Sequence, residues 1–160
     1  MATNRGKDFE AIVKDCAERV DGVFVQRLYD PQGGYVSVAN PCDFIMYRYP
    51  KMYMIECKSV HGNTIPIYTP NPNKRYGNIS NTQWLGLLEA SKYGIVAGVI
   101  CWWIDKDVTR FIPIQSLEGI RSNGAKSIRY DAIIPNSYTI TGTKKRVYFD
   151  YDFRGFFNTV

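Results

Sequence analysis

The sequence predicts an α/β fold, a mixed β-sheet flanked by helices, and three observations lead there. Phe9, Ile12, Val13, Cys16, Ala17 and Val20 fall at the i, i+3, i+4, i+7 spacing of an amphipathic helix. Residues 95–104 are almost continuously apolar, the pattern of a central strand covered on both faces. Between these two segments lie short strand-like runs broken by turn residues, then a second helical stretch. At 160 residues one domain is expected, with no internal repeat and no boundary. A hydrophobic content of 45% against 22% charged residues supports a packed core and excludes disorder as the overall state.

Taken in order, Asn4 is placed to cap the first helix, and Asp21-Gly22 to stop it with Gly22 as the C′ residue. Residues 23–29 read as a first strand, followed by the turn-rich Asp30-Pro31-Gln32-Gly33-Gly34. Residues 44–48 and 52–58 read as an antiparallel pair with Tyr49-Pro50 at the tip. Proline is an unusual second residue for a two-residue turn, so this register rests on the strands themselves. Residues 60–80 contain His61-Gly62-Asn63, three prolines and Asn71-Pro72-Asn73-Lys74-Arg75-Tyr76-Gly77, and read as a long loop. Its lysine, arginine and tyrosines suit phosphate contact and base stacking, although a solvated insertion has the same composition.

Residues 81–93 form a second helix with Trp84, Leu85, Leu87, Leu88 and Ser91 on its core face, Gln83 in its first turn and Gly94 at its end. After the apolar strand, Asp105-Lys106-Asp107 turns the chain into a strand at 108–112. A short surface helix follows at 113–123, closed by Gly124. The tail, 126–160, gives a weaker pattern: an edge strand at 146–151 and a basic cluster, Lys144-Lys145-Arg146, read as a solvated turn.

Twenty basic against fifteen acidic residues leave a net charge of +5 and a pI near 9.0, which favours a polyanionic partner, nucleic acid first. Cys16, Cys42, Cys57 and Cys101 form no C-x-x-C pair and read as free, buried thiols of a reducing compartment. With His61 as the only histidine, a zinc site or a Ser–His–Asp triad has little support. Neither a P-loop nor a Rossmann fingerprint occurs, and no apolar run reaches membrane-spanning length. The N-terminus lacks an apolar signal region, so a cytoplasmic protein is expected.

The stretch that carries chemistry runs from Pro41 to Lys58. The strand register places Asp43 directly opposite Glu56, with Cβ atoms roughly 5 Å apart. Glu56 and Lys58 share one face while Ile55 and Cys57 point to the other. Opposed carboxylates repel, so a cation between them is expected, and a lysine two residues on suits metal-assisted phosphodiester hydrolysis. Glu10 lies at the edge of the apolar stripe of the first helix. It either complements the helix dipole or leans over the sheet toward Asp43 and Glu56.

Asp43 followed by Glu56-x-Lys58 resembles the PD-(D/E)xK nuclease motif, with the proline two residues before the aspartate in Pro41-Cys42-Asp43. Asn4-Arg5-Gly6-Lys7-x-x-Glu10 resembles the N-terminal helix of RecU-type Holliday junction resolvases, a family that includes phage-encoded members, and archaeal junction resolvases open similarly. The resemblance covers residues 4–104 and implies a restriction-endonuclease-like core. It implies an acidic cluster of Glu10, Asp43 and Glu56 holding Mg²⁺, with Mn²⁺ able to substitute. Lys58 would be the catalytic lysine and Gln83 a support for the site. Arg5 and Lys7 would contact the DNA backbone, with Lys74 and Arg75 in the loop as further DNA contacts. The implied activity is homodimeric resolution of four-way DNA junctions by paired nicks, in recombination and repair, in a bacterial or phage-infected cell. The 61–80 loop is the segment expected to insert into DNA. Two alternatives stay open: a nuclease of the same fold acting on duplex or flap DNA, and a non-catalytic DNA-binding protein.

Overall fold

In the computed structural model, which describes residues 5–29, 40–67 and 79–160, the chain begins with α1 (Arg5–Glu18). Its Phe9, Val13, Cys16 and Ala17 are buried, as the helical spacing requires. The helix gives way at Arg19, and Gly22 takes a positive φ of 76° inside the turn that leads out, rather than at the C′ position. Asn4 and the 30–34 turn lie outside the described residues.

Strands β1 (Val23–Arg27), β2 (Phe44–Arg48) and β3 (Lys51–Val60) form an antiparallel meander. Phe44 pairs with Ile55 and Tyr47 with Met52, the register expected from the sequence. The Tyr49-Pro50 peptide is cis, the isomer a tight turn takes when proline is its second central residue. Beyond β3 the chain is not loop throughout. Strand β4 (Thr64–Pro66) pairs with β7 (Ser127–Arg129), and Ile65 and Ile67 are buried, so part of the expected loop is core. Lys74 and Arg75 lie outside the described residues.

Helix α2 (Asn81–Ser91) makes the crossover that lets β5 (Val96–Trp103) run parallel to β3. Its buried stripe is Trp84, Leu87 and Ala90, whereas Leu85, expected inside, is 57% exposed. Strand β6 (Val108–Pro113) returns antiparallel after a 3₁₀ turn at Ile104–Lys106, and β8 (Tyr138–Thr139) closes the edge. The sheet order is therefore β1-β2-β3-β5-β6-β8, a mixed sheet.

Two cores flank that sheet, set by strand alternation. On one side Phe44, Met46, Tyr53, Ile55 and Trp102 pack with α1. The same layer is completed by α4 (Phe153–Thr159), which the sequence pattern did not reveal, through Phe153, Phe156 and Phe157. On the other side Val99, Cys101 and Trp103 pack with α2, α3 (Ile114–Ser122) and Ile65 of β4. Both tryptophans of the central strand are thus core. The tail forms a separate ribbon in which β9 (Gly142–Lys144) pairs with β10 (Phe149–Tyr151), in place of an edge strand on the main sheet. Lys144 is ion-paired to Asp107. All four cysteines are buried and free. Among the described residues no helix is long and apolar enough to cross a membrane.

Candidate active site

The site forms where the β2–β3 pair meets α1 and α2. Asp43 immediately precedes β2. Its N–H donates to the Ile55 carbonyl at 3.1 Å, and its carbonyl accepts from the Leu28 N–H at 2.8 Å. The backbone at Asp43 is therefore locked between β1 and β3. The side chain adds a third tie, with Oδ2 accepting from the Cys57 N–H at 2.8 Å. Asp43 thus stands beside the residue that follows Glu56, as the register requires. The preceding segment is fixed from the other direction by α2, because a Cβ on Gly86 would lie only 2.5 Å from the Pro41 Cβ.

Glu56 points to the α2 side of the sheet, opposite Ile55 and Cys57, and is 1% exposed. Its Oε1 accepts from Lys58 Nζ at 2.5 Å and from Gln83 Nε2 at 2.6 Å. Its Oε2 is buried and has no hydrogen-bond partner among the described residues. Burial raises the carboxyl pKa to about 8; Lys58 opposes that shift, and the charges of Asp43 and Glu10 add to it. Burial pulls the Lys58 amine down, but the charge and hydrogen bond of Glu56 outweigh it and leave the amine raised. A carboxylate left half-satisfied in the interior is costly unless it meets a proton or a cation.

Gln83 reaches Glu56 because α2 starts there. Ser80 is the N-cap, with its Oγ accepting from the Gln83 N–H at 3.2 Å, and Gln83 Oε1 accepts from the Ser80 N–H at 2.9 Å. This reciprocal capping box fixes the amide, so the remaining Nε2 donor is aimed at Glu56.

Glu10 extends from α1 and is half-buried, ion-paired to Arg27 at the end of β1. Burial and the nearby Asp43 charge raise its pKa, while Arg27, Lys58 and Lys7 lower it. Glu10, Asp43 and Glu56 thus share one electrostatic neighbourhood. They do not form a closed ligand cage: among the described residues, no three His, Cys, Asp or Glu side chains gather closely enough to hold a metal ion. Arg27 is the residue that sequence reasoning missed. Its signal was alternation, since Val23, Val25 and Arg27 share the inward face of β1 and a charged residue there needs a partner.

The donor set is one of hard oxygens. Cys42 and Cys57 flank the carboxylates, but burial pushes the Cys42 thiol up to about 12 and the Cys57 thiol well above its usual range. Neither offers a thiolate near neutral pH. Two adjacent carboxylates, one with an unsatisfied buried oxygen, fit Mg²⁺, which uses one or two protein carboxylates and keeps several waters. Arg5 and Lys7 are exposed on the first turns of α1; the Lys7 charge reaches Glu10, and Arg5 Nη1 is 3.4 Å from His61 Nε2.

No family model matches the chain, and no curated protein matches it. Among solved structures, Hjc, a Holliday junction resolvase from the archaeal hyperthermophile Archaeoglobus fulgidus, is similar with a TM-score of 0.42 and 18% sequence identity, over 69% of this chain and 74% of that one.

Proposed function

We infer that the chain is a Mg²⁺-dependent endodeoxyribonuclease that resolves four-way DNA junctions by paired nicks. The observation that carries the hydrolytic reading is Glu56: a buried carboxyl beside Asp43, with one oxygen held by Lys58 and Gln83 and the other without a partner among the described residues. Such a group has little use in a purely structural role, because an apolar residue would cost less there. The preference for junctions rests on the resemblance of Arg5-Gly6-Lys7-x-x-Glu10 to the resolvase opening.

Asp43 and Glu56 would hold the metal, and Glu10 would add its negative charge to the same neighbourhood. The chemistry supplied by bound Mg²⁺ is polarisation of the scissile phosphate and activation of a water. Lys58, whose amine meets Oε1 of Glu56, would donate to that water or to an oxygen of the phosphate as charge develops. Gln83 keeps Glu56 from rotating, and Arg5 and Lys7 receive the backbone. Paired nicks need two such sites, which a homodimer provides.

The test is cleavage of a synthetic four-way junction, with linear duplex as control, by wild type and Asp43→Asn in Mg²⁺. Asparagine keeps an oxygen for the Cys57 N–H, so the fold should persist while cleavage falls by at least about 100-fold. Equal cleavage by both proteins, or none by either at micromolar concentration, defeats the reading.

A further inference from the structure

His61 is the only histidine of the chain, and it is not left to solvent. It stands at the carboxyl end of β3, directly after Val60, and three residues past Lys58. Its Nδ1 is 2.8 Å from Asp105 Oδ1, on the 3₁₀ turn that follows the neighbouring parallel strand β5. The second oxygen of Asp105 accepts from the Gly62 N–H at 2.6 Å. Those bonds hold the Asp105 carboxyl below the usual carboxylate range, the Gly62 N–H first and the His61 ring next. One carboxylate therefore fixes both the ring and the backbone beside it. The tautomer with its proton on Nδ1 is selected, and Nε2 faces outward. There it meets Arg5 Nη1, on the first turn of α1, at 3.4 Å.

This arrangement changes character with protonation. A neutral ring offers a lone pair at Nε2 to the Arg5 guanidinium. When the ring takes up a second proton, Nε2 becomes a donor. Two cationic donors then face each other across a narrow gap, and an anion between them replaces the lost contact with two charge-assisted hydrogen bonds. The other charged groups nearby are Lys106 beside Asp105, and Asp8, which is hydrogen-bonded to Tyr148 near Arg5. Asp105 is already engaged through both oxygens, so it supports the imidazolium rather than competing for Arg5.

We propose that Arg5 and His61, with Asp105 as a positioning residue, form a phosphate clamp that grips the DNA backbone more tightly as pH falls. Arg5 lies five residues before Glu10 on α1, about 7.5 Å along the helix axis at 1.5 Å per residue. The clamp therefore takes a phosphate flanking the scissile one, rather than the scissile phosphate itself. The inference rests on the nuclease reading of the site and adds a pH-dependent contact to it.

The experiment measures binding of a fluorescein-labelled four-way junction and of linear duplex by anisotropy in EDTA, at pH 6 and pH 8, over a range of salt. Wild type should bind tighter at pH 6 than at pH 8. His61→Ala should lose about fivefold at pH 6 and less than twofold at pH 8, with the salt slope at pH 6 lower by about one. Glu56 also takes up protons in this range, but it does so in every variant, so the difference between proteins isolates His61. Arg5→Ala and His61→Ala should be non-additive at pH 6, because they share one phosphate. Asp105→Asn should behave like a weaker His61→Ala, with the ring tautomer, read by nitrogen-15 NMR of the single histidine, no longer restricted to Nδ1–H. Identical pH ratios for wild type and His61→Ala overturn the clamp alone. Absence of binding to either DNA at any pH overturns the nuclease reading and the clamp with it.

Discussion

Gln83 donates from Nε2 to Glu56 Oε1 at 2.6 Å while its own Oε1 accepts from the Ser80 N–H at 2.9 Å. One amide therefore serves both the start of α2 and the buried carboxyl, and substitution can separate the two tasks. Gln83→Ala should lose both: about 1 kcal/mol of stability through the cap and about 10- to 100-fold in junction cleavage through Glu56. Gln83→Glu keeps a capping box, since glutamate serves at that position, yet sets a carboxylate against Glu56. It should melt near wild type and cleave poorly. Thermal melts alongside cleavage rates check this, and loss of stability without loss of cleavage would assign Gln83 to the helix alone.

Glu56 should make stability depend on pH in an unusual direction. Burial raises its carboxyl in the folded protein to about 8, above the 4.5 of an unperturbed glutamate. The folded state thus holds a proton that the unfolded state has released between those values. The contribution is fully present below about pH 4.5, declines as pH rises toward 8, and levels off beyond. Its size is on the order of 5 kcal/mol at 1.36 kcal/mol per pKa unit. Glu56→Gln should abolish this component and be more stable than wild type at pH 8 in EDTA. Mg²⁺ should raise the melting temperature of wild type more at pH 8 than at pH 5, because a metal needs the ionised carboxylate, and should leave Glu56→Gln nearly unchanged. Melting curves across pH with and without Mg²⁺ decide it.

The parts of this fold that were legible are those fixed by local pattern. Strand-like runs at 44–48 and 52–58 around the Tyr49-Pro50 tip fixed the β2–β3 register and set Glu56 and Lys58 on one face, while the Cys57 N–H bond to Asp43 appears only in the fold. The apolar run identified β5 as the centre of the sheet, buried from Ala97 to Trp103. What was hidden depends on pairing between distant segments. Strand β4 is three residues long and finds β7 more than sixty residues later, so neither segment has a periodicity to read. Arg27 becomes meaningful only once β1 lies against α1 and Glu10. Leu85 matches the apolar stripe of α2 in composition, but the helix turns Trp84, Leu87 and Ala90 inward instead.

The C-terminal helix should matter to stability more than its sequence pattern suggested. Phe156 is fully buried and its ring lies 5.1–5.9 Å from those of Tyr53, Phe111, Tyr138, Phe153 and Phe157. Replacing such a side chain with alanine removes its burial and leaves a cavity, at a cost of about 3–5 kcal/mol. Phe156→Ala should therefore lower the melting temperature by roughly 10 °C. A change of only a degree or two would mean that α4 docks weakly on the sheet.

Gly86→Ala sets two effects against each other. Alanine favours the interior of α2 by about 1 kcal/mol over glycine. The added methyl would stand 2.5 Å from the Pro41 Cβ and 3.4 Å from its Cα, on a short segment that leads into Asp43. Proline's ring is rigid, so the overlap is relieved by moving the Pro41-Cys42-Asp43 backbone or tilting α2. Either movement disturbs the carboxylate pair, because Asp43 is held through its backbone to Leu28 and Ile55, and Gln83 sits one turn before Gly86 on the same helix. Displacements near 1 Å at a catalytic centre cost up to about 100-fold in rate. The variant should therefore unfold within about 1 kcal/mol of wild type, the propensity gain offsetting the strain. It should also cleave junctions at least tenfold more slowly, about 1.4 kcal/mol in the barrier. Denaturant titration paired with single-turnover cleavage measures both quantities. Wild-type cleavage from a normally stable Gly86→Ala protein would show that α2 does not position Asp43.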